Sequence, residues 1–260
     1  MKFKVFGCSG SKLPGHELTS FLINRHILVD AGSVAGALEI EDQAKITDIL
    51  ITHAHLDHTK DILFLADNLI EFVAHEKHEP LKIRGLEEVL ENISRYLLND
   101  VIWPDFTVLP HESPVLAFEP LSPNEPQDLG DLRVIAFPVN HATCASGYVL
   151  YGEDPNEHVA ITGDSGHDGG WAEFINNMHF PVTNLIVETS FPNEMENLAK
   201  VSKHMTPRLL RKKLDKLKVK PKLYITHIKA IFAARIQEQL QSELSGYTYH
   251  LLRKGDLLDF

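Results

Sequence analysis

Apolar and polar positions alternate in short runs over the first quarter of the chain. The spacing predicts strands over residues 2–6, 19–24 and 26–30, rich in Phe, Ile, Leu and Val and separated by Gly, Pro and Asn-Arg turns. A further apolar run over 46–52 predicts a strand that stops at His53-Ala54-His55-Leu56-Asp57-His58. Beyond it the period changes. Ile62, Leu65, Ala66, Leu69, Phe72 and Val73 recur at steps of three and four, which predicts a core-facing helix directly after the histidine cluster. The cluster therefore falls on the loop of a strand-loop-helix junction. A short strand over 80–85 and an amphipathic helix over 86–98 follow, and the five prolines between 110 and 130 predict a loop-rich surface stretch without regular structure. Strand signals resume at 132–139, 147–151, 158–162 and 184–188. Helices are predicted over 206–217, opened by Thr206 as cap with Pro207 in the first turn, and over 230–244. Between them the strand 223–227 ends in Thr226-His227 and echoes Ile49-Leu50-Ile51-Thr52-His53. Two halves, each with strands and then helices, predict two sheets packed together with helices outside, in one domain spanning 1–260.

Composition excludes several classes. A chain of 260 residues, 43% hydrophobic and 23% charged, can bury a substantial core and is neither a disulfide mini-protein nor a disordered chain. Thirty-six acidic against 25 basic residues, a net charge of −11, argues against a nonspecific nucleic-acid binder. The apolar runs are strand-sized, too short to span a membrane. The first residues alternate and then turn at Gly7-Cys8-Ser9-Gly10-Ser11, unlike a signal peptide, so a cytoplasmic location is expected. Cys8 and Cys144 lie too far apart for a metal-finger spacing and read as buried or free thiols.

The residue in excess is histidine, with fifteen copies. A chain with this histidine and aspartate content would produce the pattern His-x-His-x-Asp-His by chance roughly 0.003 times. His53 and His55 alternate toward one point, while Asp57 and His58 turn toward a neighbouring one, so six residues offer four N and O ligands at a strand end. A two-metal site must recruit the rest from later strand ends, where His141, Asp164 and His227 stand. The natural assignment puts His53, His55 and His141 on one metal, Asp57, His58 and His227 on the other, and Asp164 between them. Two cations held ~3.5–4 Å apart would present a hydroxide at neutral pH. Imidazole and carboxylate without thiolate suit two divalent ions, with zinc the first choice and manganese or iron the alternatives.

His53-Ala54-His55-Leu56-Asp57-His58, His141, Gly163-Asp164 and Thr226-His227, in that order, resemble the metallo-β-lactamase superfamily over nearly the whole chain. The resemblance implies an α+β fold, a four-layer αββα sandwich with a dinuclear metal site at its edge. That superfamily spans lactamases, thioesterases, nucleases, phosphodiesterases and redox enzymes, so the reaction must be read elsewhere. Glu188-Thr189-Ser190-Phe191-Pro192-Asn193, Ala199 and Lys203-His204-Met205-Thr206-Pro207 resemble a block of the class II cyclic-nucleotide phosphodiesterases and their bacterial relatives. The segments 101–106 and 225–229 are similar to parts of the bacterial members. This resemblance implies hydrolysis of a small-molecule phosphodiester, a 3′,5′-cyclic nucleotide such as cyclic AMP, by a hydroxide held between the metals. His204 would meet the phosphate and protonate the leaving oxygen, with Glu188 orienting it and Asp57 completing the catalytic set. Two departures stand out: Lys203 occupies the place of a glycine, and Thr59-Lys60-Asp61 leaves the family's pattern after His58. A homodimer is also implied, for which residues 86–98 with Trp103 offer a surface.

Rival reactions make different demands. A tRNA 3′-processing endonuclease would need a basic arm between the third ligand block and the bridging aspartate, and the stretch from His141 to Asp164 holds no Lys or Arg. A lactone or thioester hydrolase would use the same hydroxide without His204. Flavodiiron redox chemistry would want a carboxylate in the first motif and a flavin domain, and a metal-stabilised binding module a broken ligand set, whereas this set is complete. His167 is read as a solvated loop histidine, and the remaining histidines, including His75 and His78, as surface residues.

Overall fold

The computed structural model describes residues 1–76, 79–154 and 158–260, the side chains of 74–76 excepted. His78 and the side chain of His75 lie outside the described residues. The strands are β1 (Lys2–Gly7), β2 (Ser20–Ile23), β3 (Ile27–Val29), β4 (Asp48–Leu50), β5 (Leu81–Gly85), β6 (Leu116–Pro120), β7 (Pro126–Leu129), β8 (Leu132–Pro138), β9 (Ser146–Tyr151), β10 (Val159–Ile161), β11 (Asn184–Glu188), β12 (Lys222–Thr226), β13 (Tyr249–Leu251) and β14 (Leu257–Asp259). The helices are α1 (Ile40–Gln43), α2 (Leu56–Glu76), α3 (Glu87–Tyr96), α4 (Trp171–Asn176), α5 (Glu196–Val201), α6 (Pro207–Leu214) and α7 (Ala233–Glu243).

Strands that are apolar on both faces need cover on both sides, and that requirement builds the layers. One seven-stranded sheet runs β14-β1-β2-β3-β4-β5-β6 and the other β13-β12-β11-β10-β9-β8-β7. Phe3, Val5, Phe21, Ile23, Ile27 and Val29 of the first meet Val134, Tyr148, Leu150, Ile161 and Ile186 of the second in the central core. The opposite face of the first sheet, with Leu28, Ile49, Ile51 and Ile83, packs on Ile62, Leu65, Leu69 and Val73 of α2 and Val89 and Ile93 of α3. The opposite face of the second, with Phe137, Val149, Leu185, Val187, Leu223 and Ile225, is covered by Trp171, Leu210, Leu214, Ile236 and Leu240. Each such aliphatic side chain contributes ~1.5–3 kcal/mol by leaving water. The result is the expected helix-sheet-sheet-helix sandwich.

Within each sheet an antiparallel meander passes into parallel strands. The pairs β3–β4, β4–β5 and β5–β6 are parallel in the first sheet, as are β10–β11, β11–β12 and β12–β13 in the second. Parallel strands end at the same edge, so the residues that follow β3, β4, β10, β11 and β12 collect there. The β2–β3 hairpin closes through the three residues 24–26, with Asn24 and Arg25 at positive φ and the His26 amide donating to the Ile23 carbonyl at 3.2 Å.

Several expectations need correction. The proline-rich stretch is not devoid of structure: it supplies β6 and β7, one at an edge of each sheet. Proline is tolerated there because Pro120 and Pro126 sit at strand ends, where no ladder N–H is required. Helix α2 begins at Leu56, so Asp57 and His58 occupy its first turn and not a loop. The predicted helix 230–244 opens with a 3-10 turn, Ala230–Phe232, before α7. His158 is not a surface residue. It is 6% exposed, with Nδ1 3.0 Å from the Pro181 carbonyl and its ring 4.2 Å from Phe180.

Candidate metal centre and active site

The two sheets are laced together at the edge where the parallel strands end. Ala145 bridges His53, and the Ser146 amide donates to the Thr52 carbonyl at 2.8 Å. Around this seam the structure brings together every ligand the sequence nominated. His53 Nε2 lies 3.0 Å from His55 Nδ1, which lies 3.3 Å from His141 Nε2. His58 Nε2 lies 3.2 Å from His227 Nε2, and Asp57 Oδ2 stands 3.3 Å from His227 Nε2. Asp164 Oδ2 reaches both groups, at 3.2 Å from His227, 3.5 Å from His58 and 3.8 Å from His53. Three groups each bring their ligand atoms within 4.8 Å of one another: His53, His55 and His141; His53, His58 and Asp164; and Asp57, His58 and His227.

The chemistry of this donor set fits divalent cations. Ring nitrogens facing each other near 3 Å, with two carboxylates among them and no thiolate, form a nest of lone pairs that a shared cation would satisfy. Four of the five imidazoles have their far nitrogen held, which turns the near one inward. His53 Nδ1 meets Thr52 Oγ1 at 3.0 Å, whose hydroxyl donates to Asp30 at 2.9 Å. His58 Nδ1 meets Asp30 Oδ2 directly at 2.6 Å. His141 Nδ1 donates to the Lys203 carbonyl at 3.1 Å, and His227 Nδ1 meets Ser190 Oγ at 3.0 Å. Ser190 in turn donates to Glu188 Oε2 at 2.6 Å.

Two buried carboxylates thus anchor the outer shell, Asp30 beneath His53 and His58, and Glu188 beneath His227 and His204. Asp30 was missed by sequence reasoning. Its signal was available, because it follows an apolar strand as Asp164 does, but it lies in no motif. Ser190 lies inside the Glu188 block, where the sequence assigns it no role.

His204 is the third element of the site, and it is buried, with 9% exposure. Its Nδ1 lies 2.9 Å from Glu188 Oε1 and 3.9 Å from Asp164 Oδ2, while its ring stacks on His227 at 5.5 Å and meets His141 at 5.1 Å. It does not cap α6; Thr206 does, accepting from the Leu209 amide. Burial works against its charged form, but the Glu188 carboxylate prevails and pushes its pKa up to about 9. Burial likewise opposes ionisation of Asp164, and the neighbouring His227, His58 and His53 hold it well below the usual carboxylate range. Asp57 is held low against its own burial by His227 and His58. His53 is depressed by burial first and by the adjacent His58 second.

The backbone is strained where these elements converge. Asp30, Lys203 and His227 adopt φ of 57, 58 and 57° without being glycine, and Gly163 sits at 58° immediately before Asp164. A left-handed non-glycine residue costs ~1–2 kcal/mol, and such residues concentrate at functional sites. This explains the glycine that Lys203 replaces: the position requires positive φ. The lysine is held there by its ion pair to Asp168 at 3.1 Å. His167, 34% exposed, stays outside the ligand cluster, although its Nδ1 is buried without a partner.

Comparison with known proteins decides the family. The sequence model of the class-II cAMP phosphodiesterases matches residues 37–235, most of the chain. The chain belongs to the class-II cAMP phosphodiesterase family. Of the curated relatives of this phosphodiesterase, the 3′,5′-cyclic-nucleotide phosphodiesterase of Schizosaccharomyces pombe is 24% identical over 270 aligned positions, covering 89% of this chain and 74% of the relative. The 3′,5′-cyclic-nucleotide phosphodiesterase 1 of Saccharomyces cerevisiae is 34% identical over 98 residues, which span 37% of this chain and only 25% of the relative's length. Among solved structures, unliganded yeast PDE1 superimposes with a TM-score of 0.82 at 18% identity, over 99% of both chains. The metallo-β-lactamase fold protein YhfI from Bacillus subtilis gives 0.74 at 19% identity, over 99% of this chain and 98% of that one. This class-II phosphodiesterase therefore has the metallo-β-lactamase fold. No helix among its described residues is long and apolar enough to cross a membrane.

Proposed function

We propose that the protein hydrolyses the phosphodiester bond of a 3′,5′-cyclic nucleotide such as cyclic AMP. The observation that carries this reading is His204, fixed by Glu188 at 2.9 Å and set between His141 and His227. Carbonyl hydrolysis by the same hydroxide does not require His204, whereas a phosphoryl group with charge developing on several oxygens gains from a cation beside it. The relatives' cyclic-nucleotide names support the substrate class.

His53, His55 and His141 would hold one divalent cation, and Asp57, His58 and His227 a second, with Asp164 between them; zinc suits this set, as do manganese and iron. Such ions, when bound, supply Lewis acidity toward phosphoryl oxygens and a hydroxide nucleophile at neutral pH. His204 does the rest of the proton work. With Nδ1 bound to Glu188, it presents its Nε2–H to a phosphoryl oxygen, and it remains protonated at neutral pH and can pass that proton to the departing sugar oxygen. Asp57, 31% exposed beside His227, completes the polar wall. A small substrate and two free thiols, Cys8 and Cys144, fit a cytoplasmic enzyme.

The test is turnover by metal-stripped protein reloaded separately with zinc, manganese or iron, on 3′,5′-cyclic AMP, bis(p-nitrophenyl) phosphate and a simple lactone. Metal-dependent hydrolysis of the cyclic nucleotide, lost in His204→Ala, is expected. Turnover of the lactone alone would overturn the reading.

A further inference from the structure

The turn Gly7-Cys8-Ser9-Gly10-Ser11 supplies no ligand, yet it is built tightly against the strand end that carries His227. The Gly10 amide and the Ser9 hydroxyl both donate to the Ile228 carbonyl at 3.2 Å, and Ser11 Oγ accepts from the Ala230 amide at 3.0 Å. A Cβ on Gly10 would stand 2.6 Å from the His227 carbonyl and 2.7 Å from His227 Nδ1, so only glycine permits this approach. Lys229 is held by this turn. Its Nζ donates to the Gly10 carbonyl at 3.1 Å and lies 5.3 Å from the centre of the Phe191 ring.

This ammonium is half-buried and forms no ion pair among the described residues, where its only partners are a carbonyl and an aromatic face. A lysine so placed has N–H donors to spare and a charge that nothing balances. Phe191 also meets the ring of His204, at 5.9 Å. Lys229 and His204 therefore flank the same Phe191 ring, and an anion lying between two such basic side chains would be held by both.

We infer that Lys229 is a phosphate-binding residue of this site, contributing a second protein cation beside His204 to the phosphoryl group of the substrate and to the phosphomonoester product. The inference deepens the phosphodiesterase reading and rests on it for the identity of the substrate, but the anion site can be tested without turnover. A dianionic phosphomonoester gains more from this cation than a monoanionic diester, so Lys229 weighs more on product binding than on substrate binding.

The experiment is calorimetric titration of zinc-loaded protein, freed of excess metal, with inorganic phosphate and with adenosine 5′-monophosphate, for wild type, Lys229→Met and Lys229→Arg. Lys229→Met keeps the alkyl stem against Phe191 and should weaken both ligands by about tenfold, with more loss for the monophosphate than in KM for cyclic AMP. Lys229→Arg should restore binding to within about threefold, and bound zinc should be unchanged in both variants. Equal phosphate affinity in Lys229→Met overturns the inference, as does loss of zinc in that variant, which would assign Lys229 to the scaffold of His227. A wild type that binds phosphate through Lys229 but leaves cyclic AMP intact would uphold the anion site and remove the substrate assignment.

Discussion

Asp30→Asn exchanges one carboxylate oxygen for an NH2 group at a position that is 1% exposed, with no change of shape. The carboxylate accepts four contacts. Oδ1 takes the Thr52 amide at 2.8 Å and the Thr52 hydroxyl at 3.0 Å, and Oδ2 takes His58 Nδ1 at 2.6 Å and the same hydroxyl at 2.9 Å. An amide cannot serve both sides. If its oxygen stays on Thr52, the NH2 faces His58 Nδ1 and drives the ring to the tautomer protonated at Nε2, which cannot bind a cation. If it flips, two N–H groups confront each other at Thr52. Loss of one such outer partner typically costs ~10–100-fold in metal affinity, or ~1.4–2.8 kcal/mol. Asp30 also orients His53 through Thr52, so the ligand sets of both proposed cation positions lose an anchor and the upper half of that range is expected. The metal-free protein should lose ~1–3 kcal/mol from a buried donor left without an acceptor. Zinc competition against a chromophoric chelator reads the first quantity, and urea unfolding of the metal-free protein reads the second. Zinc affinity within twofold of wild type would refute the reasoning.

Three further outcomes are expected. Asp57→Ala should abolish cyclic-nucleotide hydrolysis while leaving the far-ultraviolet spectrum unchanged, because Asp57 is 31% exposed in the first turn of α2; full activity would sink the two-metal assignment. Glu188 holds the His204 pKa at about 9 against an ordinary 6.5, so the charged ring is stabilising in full below pH 6.5 and its contribution is lost as pH rises through about 9. Glu188→Gln should therefore bring the alkaline limb of the pH–rate profile down toward 6.5, and an unmoved limb would deny Glu188 this role. Cys8 has its thiol pushed up to about 12 by burial and then by Asp256, so its alkylation by iodoacetamide at pH 8 should run at least about 100-fold slower than that of free cysteine, followed by peptide mass spectrometry.

What could be read from the chain follows from local periodicity. The His-x-His-x-Asp-His run, the strand ends at His141, Asp164 and His227, and the Glu188 and His204 block each occupy a few contiguous residues, and strand and helix periods say where such residues emerge from the core. The layered sandwich was legible for the same reason, since strands apolar on both faces demand cover on both faces. The edge strands β6, β7, β13 and β14 were not, because short half-buried strands carry no alternation long enough to register and are ordered by the neighbour they pair with.

The outer shell belongs to the tertiary structure alone. Asp30 and His58 are 28 positions apart, Ser190 and His227 are 37 apart, and His141 leans on the backbone carbonyl of Lys203 across 62. Nothing in the sequence joins these pairs. Nor does it announce that Asp30, Lys203 and His227 must take left-handed φ, since only Gly163 among the strained positions carries a residue type that betrays it. By itself the sequence determined which side chains carry the chemistry a metal or a phosphate would call on, because ligand chemistry is a property of side chains. Only folding decided which ring nitrogen faces inward and where Lys229 places its unbalanced charge, because orientation is set by hydrogen bonds between strands that meet at one edge of two sheets.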